Sequence, residues 1–69
     1  MKLTEITPIS IKKVSNQELN SLHRRIHQLY GVSKKKQHIN KEYVRFLISV
    51  HAILVMEMNK RNLKHKTPL

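Results

Sequence analysis

Three of the five histidines, a broad scatter of basic side chains and four carboxylates are the residues of this chain that could do chemistry. His23 and His27 stand four apart, a spacing that puts two imidazoles on one face of a helix, and His51 would have to reach them from a second segment. Three imidazoles drawn from a hairpin are a zinc donor set. A closed site would want a fourth ligand in an identifiable motif, and the chain has neither a cysteine nor a His-Glu-x-x-His pattern. The preferred reading is therefore that His23 and His27 edge a helix seam, against a neighbour or a phosphate, and that His51 flanks the core. On that reading no metal and no cofactor is expected.

The acids offer little for paired-carboxylate catalysis. Glu5 lies near the amino terminus, Glu18 in a helix-capping position, Glu42 in a first helical turn and Glu57 on a helix flank, so three of the four have structural uses. Ser15, Ser33 and Ser49 sit in no nucleophile motif, and the lone Gly31 makes no phosphate-binding glycine loop. No catalytic residue is assigned and no enzymatic activity is expected.

Basic residues are the stronger signal. The 69 residues hold 14 Lys and Arg against 4 Asp and Glu, a net charge of +10. The isoelectric point near 10.5 favours polyanionic partners through long-range attraction. Arg24 and Arg25, Lys34, Lys35 and Lys36, and Lys60, Arg61, Lys64 and Lys66 are the candidate nucleic-acid contacts, with Lys12 and Lys13 beside the last group. Tyr30, Tyr43 and Phe46 are the only aromatics and all are needed for packing. Contact with duplex phosphates fits this set better than base stacking along a single strand.

These groups need elements to position them. Lys41 to Arg61, set about 100° apart around a helix, leaves one narrow polar strip of Lys41, Glu42, Arg45, Ser49, Asn59 and Lys60. Tyr43, Leu47, Val50, Leu54 and Met58 form the centre of the opposite face. Val44, His51 and Val55 flank it on one side, Phe46, Ile53 and Glu57 on the other. That apolar arc is wider than one partner helix can cover, so the second helix predicts at least two partners. Asn40 is its expected N-cap and Asn62 its left-handed terminal residue.

The first helix opens on Ser15-Asn16-Gln17-Glu18, read as a capping box, and is expected to run to Tyr30, with Gly31 supplying the left-handed stop. Leu19, Leu22, Ile26 and Leu29 give it one apolar seam. The pattern thus predicts an all-α chain of one small domain: residues 1–14 an extended arm or short strand, 15–31 a helix, 32–39 a basic turn, 40–62 a longer helix and 63–69 a basic tail. The Ile-rich arm, turned by Pro8, could also lie over the helices. A domain this small usually needs a staple or a second copy. We therefore expect an antiparallel helical hairpin that dimerises into a four-helix arrangement. The apolar stretch of the second helix is too short and too interrupted for a membrane span, and no secretory apolar region follows Met1, so a soluble cytoplasmic location is expected.

Residues Leu22-His23-Arg24-Arg25-Ile26-His27-Gln28-Leu29-Tyr30-Gly31, with Met56-Glu57-Met58-Asn59-Lys60-Arg61-Asn62-Leu63-Lys64-His65 after the basic turn, resemble the helical core of phage-type pyrimidine-dimer DNA glycosylases. They also resemble short helical modules of phage and mobile-element DNA-processing proteins. The likeness covers roughly residues 19–31 and 50–66. Arg25 stands where those glycosylases carry their catalytic glutamate, and Lys2 is no counterpart of the amino-terminal nucleophile they expose. The resemblance thus implies association with DNA without the lyase chemistry. The leading reading is a small, basic, phage-like protein that binds duplex DNA with low sequence specificity. A protein-interaction module using the wide apolar face of the second helix is the alternative, and a histidine metal-binding hairpin a third.

Overall fold

The computed structural model describes residues 1–35 and 39–63, and every regular element among them is helical. Two helices of 20 residues each, α1 (Asn16–Lys35) and α2 (Lys41–Lys60), carry the fold. They run antiparallel: Arg61, just past the end of α2, bonds to Asn16 at the start of α1.

The start of α1 is set by Ser15, whose Oγ accepts the Glu18 N–H at 3.1 Å and whose carbonyl accepts the Leu19 N–H at 2.9 Å. The Glu18 carboxylate stands 3.5 Å from the amino-terminal ammonium of Met1. The expected stop at Gly31 is not used. Gly31 has no positive φ and α1 continues a further turn to Lys35, which shortens the basic turn and draws Lys34 and Lys35 into the helix. Glycine permits the left-handed conformation without requiring it, and the added turn buries Ser33.

Both ends of α2 follow the sequence. Asn40 Oδ1 accepts the Tyr43 N–H at 3.1 Å. At the other end Asn62 adopts φ 60°, the Leu63 N–H reaches the Met58 carbonyl at 2.8 Å and the Asn62 N–H reaches Asn59 at 3.1 Å. That pair of bonds is a Schellman closure with asparagine in place of glycine.

The arm is neither extended nor a strand. It folds into two 3₁₀ turns, Leu3–Glu5 and Ser10–Lys13, and sinks Ile6 and Ile11 into the core. A short capping exchange builds the second turn. Thr7 Oγ1 accepts the Ser10 N–H and Ser10 Oγ accepts the Thr7 N–H, each at 2.9 Å, while Ser10 Oγ donates to the Glu5 carbonyl. Pro8, with its fixed φ and missing N–H, suits the position just inside such a cap.

Ile6 and Ile11 join Leu19, Leu22, Ile26, Leu47, Val50, Leu54 and Met58 in one core, with Leu29, Phe46 and Ile53 half-buried against it. The second partner that α2 needs is thus supplied by the arm of the same chain. Of the expected core positions Tyr43 departs, lying in the first turn of α2 and exposed, with its ring stacked 6.4 Å from Phe46. No helix among the described residues is long and apolar enough to cross a membrane.

Candidate functional site

α1 presents two faces with different chemistry. Leu19, Leu22 and Ile26 turn inward, while Arg24, Arg25, Lys34 and Lys35 are exposed. Arg24 and Arg25 border a shallow depression with Ser21 and Gln28. Lys34 Nζ lies 5.5 Å from the centre of the Tyr30 ring, a cation–π distance. Three of the four acids are engaged elsewhere: Glu5 accepts the Lys2 N–H, Glu18 faces Met1 and Glu57 pairs with Arg61. Glu18 shares the depression with Arg24 and Arg25, but among the described residues no ion pair joins a carboxylate to Arg24, Arg25, Lys34 or Lys35.

Arg61 leaves the candidate surface. Its Nε donates to Glu57 Oε2 at 2.8 Å and its Nη1 to Asn16 Oδ1 at 3.0 Å. Nη2 donates to the carbonyls of Ile11 and Lys12 at 3.1 and 3.2 Å. The planar guanidinium with its five donors joins the arm, the start of α1 and the end of α2, which a lysine could not do. Glu57, buried on the inner flank of α2, is the acid that makes this cation structural. Lys60 stays exposed at the same end. Lys36, Lys64 and Lys66 lie outside the described residues.

The three histidines, expected to edge the α1 seam and flank the core of α2, with a shared metal site as the lesser alternative, meet. His23 Nε2 is 3.1 Å from His27 Nε2 and 3.2 Å from His51 Nε2. Their ring centres are 4.5 to 5.1 Å apart, and the three potential donor atoms all fall within 4.8 Å of one another. His51 is buried and the other two half-buried. Hairpin register explains the meeting. Both helices rise 1.5 Å per residue, so residues equally far from the connection face each other. His51 is ten residues beyond Lys41 and falls opposite Arg25, ten before Lys35, hence between His23 and His27. That signal was available in the sequence only once the true end of α1 was known.

With the geometry in place, comparison against protein-family models, curated proteins and solved structures returns no match. These comparisons show no likeness of residues 19–31 and 50–66 to DNA glycosylases.

Proposed function

We propose that this chain is a small DNA-binding protein that holds duplex DNA by its phosphates through the outer face of α1. The observation that supports the reading is the exposure of Arg24, Arg25, Lys34 and Lys35 on one helix, with no ion pair from any of them to a carboxylate of the described residues. A helix that keeps its apolar seam inward can set Arg24 and Lys35 against a backbone, with Arg25 and Lys34 on either flank, without unfolding anything. The overall charge of +10 brings the polyanion in. Contacts of this kind position a protein on DNA and carry no base information.

A salt series on random duplex DNA tests it. Each phosphate contact contributes about 0.9 to the slope of log K against log salt. Changing Arg24, Arg25, Lys34 and Lys35 together to Gln should lower affinity about equally for all sequences and flatten the slope by roughly 3 to 4. Unchanged affinity and slope in that variant would exclude α1 as the contact surface, and no binding by the parent chain at low salt would end the DNA reading altogether.

Self-association is the second component of the proposal. Ile48, Ala52 and Met56 recur every four residues along the exposed side of α2, with Ile48 46% and Met56 60% exposed. A second copy packed antiparallel on this stripe would produce a four-helix arrangement with two basic faces. Sedimentation at micromolar concentration should give a dimer that Met56→Lys dissociates. A compact monomer over that range would reassign the stripe to a different protein partner, the interaction-module alternative.

A further inference from the structure

We propose that His23, His27 and His51 form a divalent-metal site, selective for a zinc-like ion, that clamps α1 to α2. A ring nitrogen carries either one hydrogen or one in-plane lone pair. His23 Nε2 has two other Nε2 atoms at hydrogen-bond distance, 3.1 and 3.2 Å away, one on its own helix and one on the facing helix. It cannot donate to one and accept from the other, so the two contacts are served only where it donates to both or accepts from both.

One cation at the point of convergence satisfies all three lone pairs at once. Tetrahedral zinc with bonds of about 2.0–2.1 Å sets its nitrogen ligands roughly 3.3–3.4 Å apart. The observed separations of 3.1 and 3.2 Å are close to two edges of that tetrahedron, while His27 and His51, within 4.8 Å of each other, would have to draw together around the ion to make the third.

The surroundings fit the same ion. Three neutral imidazoles and no carboxylate make a donor set that suits zinc, copper or nickel and is poor for magnesium or calcium. Two rings four residues apart on α1 fix one edge of the site locally, and His51 supplies the link across the hairpin. His23 and His27 are half-buried, which gives the ion a way in, while burial of His51 keeps its ring in place. Among the described residues no fourth Cys, His, Asp or Glu joins the group, which leaves a fourth position for water or another ligand. In a chain of 69 residues without cysteines, this is the cross-link available to the described part of the fold.

The test uses the full chain, stripped of metal with a chelator. Cobalt(II) titration should give one equivalent of binding with the visible bands of a low-coordinate imidazole complex. Zinc should displace the cobalt. Zinc at a hundredfold excess over its dissociation constant should raise Tm by roughly 10 °C or more. His27→Gln, at a half-buried position, should leave the helical circular dichroism of the metal-free chain unchanged. It should weaken zinc by more than the ~10–100-fold that loss of an outer-shell partner costs. The proposal is overturned by a Tm indifferent to zinc and chelator, by absence of the cobalt bands, or by one-equivalent binding that survives intact in a chain carrying His23→Gln, His27→Gln and His51→Gln. The readouts are independent of DNA, so this site and the phosphate surface stand or fall separately.

Discussion

The end of the hairpin where the arm, the start of α1 and the end of α2 meet is cross-linked by one guanidinium, whereas the outer face of α1 carries two guanidinium groups that make no ion pair with a carboxylate of the described residues. Arg61 and Arg25 are the same residue type on helices of equal length, and their environments decide what each does. Arg61 has a buried carboxylate one turn behind it and three further acceptors within 3.2 Å. It is largely buried, makes four hydrogen bonds and is committed to the fold. Arg25 faces water beside Arg24, so its charge stays free to act on a partner. Basic composition alone therefore overstates a binding surface, and the distribution of acceptors corrects it.

The sharpest way to break this comparison is Arg61→Ala. It leaves Glu57, whose side chain is only 9% exposed, as a buried charge without its partner. Removing one member of such a pair costs about 3–5 kcal/mol. Chemical denaturation should register most of that loss, and Glu57→Gln in the same background should recover part of it, because a carboxamide is cheaper to bury than a carboxylate. A loss below about 1 kcal/mol would make Arg61 an ordinary surface cation, since exposed ion pairs contribute no more than that.

Next in size is the arm. Ile11, inside the second 3₁₀ turn, is 1% exposed, and Ile9, just before that turn, is 75% exposed. Ile11→Ala should cost about 2–4 kcal/mol by urea denaturation. Ile9→Ala should stay within ~0.5 kcal/mol. Equal effects would mean that the arm does not cover α2 in solution, and the missing cover would again have to come from a second copy. The outer face of α1 gives the converse pattern. Arg24→Gln with Arg25→Gln should move stability by no more than ~0.5 kcal/mol for each change, yet flatten the DNA salt slope by about 1.8.

These contrasts also mark how far the sequence could be read. Both helices, both caps of α2 and most of the α1 seam were legible, because period, N-cap chemistry and an asparagine in the left-handed position act over a few residues. The fold of the arm was not, although Thr7-Pro8-Ile9-Ser10 holds the signal: a capping exchange in which serine stands where Glu or Gln is usually sought. The role of Arg61 was hidden for a different reason. Its i,i+4 relation to Glu57 is visible, but the Asn16, Ile11 and Lys12 acceptors lie 45 or more residues away and become neighbours only through antiparallel packing. The histidine cluster depended on a register that one misplaced helix end was enough to conceal.

That helix end gives the smallest and most discriminating prediction. If Gly31 were the left-handed stop that its type suggests, alanine there would be forced to positive φ and would destabilise the chain. In the observed fold Gly31 lies inside α1 with no positive φ, and a Cβ built on it meets nothing within 4 Å. Alanine then removes backbone freedom from the unfolded chain at no steric cost, and Gly31→Ala should stabilise by roughly 0.5–1 kcal/mol. For a domain of this size that is a rise in Tm of a few degrees, at most about 8 °C. A fall in Tm would end α1 at Tyr30. Lys34 and Lys35 would then return to the connection and the register that brings His51 between His23 and His27 would be lost, so this one substitution bears on the basic face and the histidine cluster together.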